Sequence, residues 1–81
     1  MQVRVLFFAS LRDLTKVDSL QVELTENATI SDLKNFLLRK YPDFVGIEST
    51  FAVALNYEYV VGKATLKNGD EIALIPPVSG G

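Results

Sequence analysis

One stretch constrains the fold of this chain more than any other. Residues 29–42, Thr-Ile-Ser-Asp-Leu-Lys-Asn-Phe-Leu-Leu-Arg-Lys-Tyr-Pro, carry the pattern of an amphipathic helix. Thr29 is placed to cap it, and Asp32, three residues on, can reach back as a short capping box. Ile30, Leu33, Phe36 and Leu37 recur at helical spacing and form one apolar stripe, with Lys34, Asn35 and Arg39 off it. Arg39 and Lys40 fall in the last turn, where the helix dipole favours cations. Tyr41-Pro42 ends the helix, because a residue before proline avoids the helical region. The spacing predicts a helix over 30–40. The other patterned segments read as strands. One helix covers one face of a sheet, so the expected fold class is α+β: a mixed sheet with one main helix on one face. The other face meets solvent or a partner.

The strands follow from alternation. Gln2 to Ala9 is rich in β-branched and aromatic residues; Val3, Val5 and Phe7 point one way and Gln2, Arg4, Leu6 and Phe8 the other. Residues 10–16 read as a connector with one short helical turn, from which Leu11 and Leu14 reach the core together. Ser19 to Leu24 alternates, with Leu20, Val22 and Leu24 inward, as an antiparallel partner of the first strand. Residues 26–28 form a turn, and Phe44 and Ile47 are anchors in a loop over 43–50. In Phe51-Ala52-Val53-Ala54-Leu55 large residues alternate with alanines, so one face packs and the other is bare. A turn at 56–58, a short strand at 59–61, an Asn68-Gly69 tight turn and a last strand over Glu71–Ile75 complete the order.

Composition excludes several functions. The chain has 81 residues, enough for one domain with a modest core. It has no Cys and no His, so it lacks a thiolate nucleophile, the commonest general base and the commonest metal ligand. No metal site and no catalytic side chain of its own are expected; in any chemistry the chain is a substrate or carrier. A net charge of −2 and a pI of about 4.9 argue against nucleic acid and suit a partner with a basic groove. No apolar run approaches the roughly 20 residues of a membrane span. The start shows no signal-peptide pattern, so the cytoplasm is the expected location.

The final six residues, Pro76-Pro77-Val78-Ser79-Gly80-Gly81, form a separate unit. Two prolines stop the last strand and hold the backbone extended. Two glycines lack Cβ and can enter a passage too narrow for a side chain. The expected division is a domain over 1–75 and an extended tail over 76–81. A frayed polar terminus or a cloning remnant has the same composition, so the tail alone does not separate a reacting arm from an inert end. The strand faces bear on this. If Ile72 and Leu74 join Val3, Val5 and Phe7 beneath the helix, then Leu6, Phe8 and Ile75 lie on the uncovered face. Parallel first and last strands bring those three to the point where the tail leaves, as an apolar patch of the kind that marks interaction sites. A register slip of one residue buries the set instead.

Residues 5–9, 51–56 and 68–73, and above all Ile75-Pro76-Pro77-Val78-Ser79-Gly80-Gly81, resemble the small, sulfur-carrier subunit of molybdopterin synthase over essentially the whole chain. The resemblance implies a ubiquitin-like β-grasp with parallel first and last strands. It implies that an E1-like enzyme uses ATP to adenylate the Gly81 carboxylate, that a sulfur donor converts the adenylate to a thiocarboxylate, and that Pro76, Pro77, Val78, Ser79 and Gly80 carry Gly81 into the large catalytic subunit. There sulfur passes to cyclic pyranopterin monophosphate, in a two-plus-two assembly. No cofactor is expected on this chain. Leu6, Phe8 and Ile75 are the expected partner-binding residues, with Arg12 a weaker candidate for an ion pair. Carriers for thiamine or tRNA thiolation and protein modifiers share the diglycine ending, and an inert β-grasp interaction module is the third reading.

Overall fold

The computed structural model describes residues 1–47 and 50–77. Five strands form one sheet in the order β2-β1-β5-β3-β4: β1 Gln2–Phe7, β2 Ser19–Glu23, β3 Ala52–Leu55, β4 Glu58–Val60 and β5 Glu71–Ile75. β1 and β5 are parallel neighbours, with Val5 opposite Ile72 and Phe7 opposite Leu74. The remaining pairs are antiparallel, so the sheet is mixed. A short helix, α1 (Ser10–Thr15), and the main helix, α2 (Ile30–Lys40), complete the regular structure together with one 3-10 turn, Pro42–Phe44.

α2 has the expected bounds because its ends are chemically marked. The Asp32 N–H donates to Thr29 Oγ1 at 3.3 Å, and the Thr29 N–H donates to Asp32 Oδ2 at 2.8 Å. Two further donors of the first turn are satisfied by the segment before β5: Ile30 N–H donates to Ala64 O and Ser31 N–H to Gly62 O, both at 3.0 Å. A Cβ on Gly62 would lie 2.8 Å from Ser31 Oγ, so a larger residue there would push aside the hydroxyl that donates to Gly62 O at 3.0 Å. At the other end Tyr41 has ψ 84, the non-helical backbone that Pro42 demands.

α2 lays Ile30, Leu33 and Leu37 on Val3, Val5, Phe7, Val22, Val53, Ile72 and Leu74, all buried. Phe36 is half-buried at the edge of the stripe. Leu20 and Leu24 pack against the core only in part, because β2 is the sheet edge. Phe44 is fully buried and Ile47 packs on the core, as their anchor reading required. Phe44 stands edge-on to Phe7 and Phe51 with ring centroids 6.3 and 6.0 Å away, and Tyr41 joins this cluster.

Several boundaries differ from the sequence reading, β2 ending at Glu23 rather than Leu24 and β3 starting at Ala52 rather than Phe51 among them. β1 stops at Phe7, because Ala9 takes φ 50 and turns the chain into α1. The connector over 10–16 is a six-residue helix rather than one loose turn; Leu11 is buried beneath it and Leu14 packs on the core. β4 is Glu58–Val60, one residue earlier than expected, because the turn before it uses only Asn56 and Tyr57.

Candidate functional site

The face of the sheet opposite α2 carries an apolar groove. Its shape follows from strand register. One row across the sheet reads Leu6, Ala73, Ala54, Tyr59: Leu6 is opposite Ala73, Ala73 opposite Ala54, and Ala54 opposite Tyr59. Two alanines on the middle strands between larger residues on the outer ones make a trough. Leu6, Phe8, Tyr57 and Tyr59 wall it, Ala54 and Ala73 floor it, Glu71 and Ile75 also line it, and its volume is about 260 Å³. β5 runs along the floor from Glu71 to Ile75.

The structure brings Leu6, Phe8 and Ile75 into this groove together, on the open face. Phe8 is 45% exposed, while Leu6 and Ile75 are half-buried. β5 ends at Ile75, and Pro76 and Pro77 lie outside regular structure, so the chain leaves the sheet at the Ile75 end of the groove. Val78, Ser79, Gly80 and Gly81 lie outside the described residues. Arg12 is not among the groove-lining residues; it sits on α1, its guanidinium 3.7 Å from the Asp18 carboxylate, both side chains largely in solvent.

Tyr57, Tyr59 and Glu71 are site residues that the sequence reading did not single out. Their signal was present as two tyrosines two apart, 57 and 59, which alternation places on one face. Only the register of β3 with β4 and β5 sets them across from Leu6. The Glu71 end is built by polar contacts: the Gly69 turn docks on β1 through Gly69 N–H to Gln2 O at 2.7 Å, and Gly69 has φ 87, which suits glycine. Among the described residues no group of His, Cys, Asp or Glu could hold a metal ion, and no helix is long and apolar enough to cross a membrane.

A mixed sheet with parallel first and last strands, one helix across one face and a chain end leaving beside an open apolar groove defines a ubiquitin-like β-grasp protein, the fold its structural neighbours share. The chain belongs to the ThiS family, whose model matches residues 5–81. It is 41% identical to the molybdopterin synthase sulfur carrier subunit of Chlamydomonas reinhardtii over the full length of both chains. Among solved structures it superposes on SAMP1 from Haloferax volcanii with a TM-score of 0.90 at 26% identity, covering all of each chain. It also superposes on a chain of the complex of subunits 1 and 2 of molybdopterin-converting factor from Helicobacter pylori, with a TM-score of 0.72 at 28% identity and full coverage of both.

Proposed function

We propose that this chain is the sulfur-carrier subunit of a molybdopterin synthase, contributing a reacting carboxylate and a docking surface to a sulfurtransferase complex whose catalytic side chains come from partners. The observation that carries the reading is the groove at the end of β5, where the chain turns into Pro76-Pro77: a partner seated on Phe8, Leu6 and Ile75 receives the tail beside them. Full-length similarity to the Chlamydomonas carrier subunit supports the pathway, and the Helicobacter two-subunit complex supports a large-subunit partner.

The chemistry is as follows. The Gly81 carboxylate is a poor acyl donor until an oxygen becomes a leaving group. On an E1-like enzyme it attacks the α-phosphate of ATP and releases pyrophosphate, giving an acyl-adenylate. A sulfur nucleophile displaces AMP and leaves a thiocarboxylate. The chain has no Cys, and no Lys after Lys67, so it offers no nearby internal nucleophile to consume the activated ester. In the large subunit the sulfur passes to cyclic pyranopterin monophosphate. ATP is the activating enzyme's substrate; this chain needs no bound cofactor for its part.

Two variants test the tail. One added residue after Gly81 moves the carboxylate by about 3.5 Å in an extended chain, and a shift of about 1 Å costs on the order of a hundredfold in rate. Gly80→Val sets a branched side chain where the passage is narrowest. Both should abolish thiocarboxylate formation or molybdopterin synthesis in a mixture of activating enzyme, sulfur donor, large subunit and precursor, with thermal stability unchanged. Wild-type yield from either variant rejects the carrier reading. The close superposition on SAMP1, an archaeal β-grasp protein, favours a modifier role as the second reading; covalent conjugates of this chain on lysines of other proteins, with no thiocarboxylate, would select it.

A further inference from the structure

We infer that Tyr57 is a partner-contact residue at the end of the groove remote from the tail, held in a backbone conformation that lowers the stability of the free protein. The inference rests on the docking of the large subunit described above. Asn56 and Tyr57 are the two central residues of the β3–β4 hairpin, with φ 50 and 75. Positive φ at both positions is what a two-residue type I′ turn needs, and the sequence that suits it is Asn-Gly. Asn56 fits the first position. Tyr57 occupies the place of the glycine, where a bulky L side chain is strained.

Nothing within the described chain offsets that strain. The Tyr57 side chain is 91% exposed and makes no hydrogen bond or ring contact with described residues. Nor is the turn free to relax. The Asn56 N–H donates to Glu71 O at 2.9 Å, Asn56 Nδ2 donates to Asp70 Oδ1 at 2.9 Å, and Asn56 Oδ1 accepts from the Glu71 N–H at 3.0 Å. These bonds tie the turn to the start of β5. Strain that the surroundings over-determine points to a function, and position indicates which. Tyr57 and Glu71 line the groove at one end and Ile75 at the other, with β5 spanning about 13 Å between Glu71 and Ile75. A partner filling the groove from the tail exit onward meets Tyr57 last, and an aromatic ring offers it a large apolar contact at small entropic cost.

The charge at this end indicates the partner's chemistry. Glu71 lines the groove at the same end as Tyr57, and its carboxylate has no ion pair among the described residues, with Arg4 across from it in register. The partner surface that fits is apolar against the Tyr57 ring and basic at its rim, consistent with a large subunit that receives an acidic carrier.

The test compares wild type, Tyr57→Gly, Tyr57→Phe and Phe8→Ala, measuring Tm and Kd for the purified large subunit. Tyr57→Gly should raise Tm by about 3 °C, as relief of turn strain in a domain of this size predicts, and raise Kd at least about tenfold, mainly through faster dissociation. Tyr57→Phe should keep the wild-type Kd. Wild-type Kd for Tyr57→Gly, or a fall in its Tm, overturns the assignment of Tyr57 while Phe8→Ala still reports on docking. Failure of wild type itself to bind the large subunit overturns the docking reading and this inference with it.

Discussion

The two faces of the sheet are built from the same strands and differ residue by residue. Along β5, Ile72 and Leu74 are fully buried beneath α2, while Ala73 and Ile75 alternate with them onto the open groove. Along β1, Val3, Val5 and Phe7 are buried, while Leu6 and, just past the strand, Phe8 line the open groove. Both faces are apolar at this end of the sheet, so hydrophobicity does not separate fold from function. Occupancy does: the covered face has α2 and the Phe44 cluster against it, whereas the open face ends in a trough floored by alanines. Residues on the first face stabilise the free protein. Under the proposed function, residues on the second gain their contacts when a partner arrives, so that a chain of 81 residues reserves large apolar side chains for docking.

The sharpest test uses neighbours in sequence. Leu74 has no exposed surface, and Leu74→Ala should destabilise the domain by about 2–5 kcal/mol, through lost burial and the cavity left behind. Ile75→Ala, one residue on, should cost under about 1 kcal/mol of fold stability, since its site is already open, yet weaken binding to the large subunit. Denaturant unfolding and a binding titration on the two variants measure both quantities. Equal destabilisation by both substitutions would erase the distinction between the faces.

Phe8 is the strongest single probe of the open face. It walls the groove, is 45% exposed and is missing from the ring contacts that bind Phe7, Tyr41, Phe44 and Phe51 together. Aromatic anchors in such positions carry a large share of interface energy. Phe8→Ala should therefore weaken the complex by about 2 kcal/mol, roughly thirtyfold in Kd, and leave Tm of the free protein within a few degrees. A variant that unfolds in isolation would show that Phe8 supports the fold and not the partner.

Legibility in the sequence followed the range of the signals. α2 was readable to the residue because Thr29, Asp32 and Pro42 mark its ends through contacts within a few positions. β5 was readable because alternation runs into Pro76. The bare face of β3 was visible as Ala52 and Ala54 between larger residues. Features that need two distant segments were not visible. Leu66 is buried in a stretch with no periodicity, and it is fixed there by its N–H donating to Ala28 O at 2.8 Å. The strap from Gly62 to Ala64 onto α2 depends on backbone bonds that leave no pattern in residue type. The same holds for the groove: Leu6, Phe8 and Ile75 emerged from alternation in two strands, while Tyr57 and Tyr59 became its far wall only through the β3–β4 and β3–β5 registers.

Arg12 belongs to neither face, and its effects should be the smallest. Its contact with Asp18 spans 3.7 Å between side chains 57% and 82% exposed, so water screens the pair. Exposed pairs of this kind contribute little, and Arg12→Ala should change fold stability by under about 0.5 kcal/mol. Its effect on docking separates two roles. The chain carries a net charge of −2, and removing one arginine makes it one unit more negative. If Arg12 acts only through the overall field, association with a basic partner should quicken slightly in Arg12→Ala at low ionic strength and match wild type at high salt. If Arg12 pairs with a partner carboxylate, the substitution should instead speed dissociation, with little salt dependence in that rate. Stopped-flow association and dissociation rates at two ionic strengths distinguish them. Its position outside the groove favours the first result, and faster dissociation would extend the interface beyond the groove onto α1.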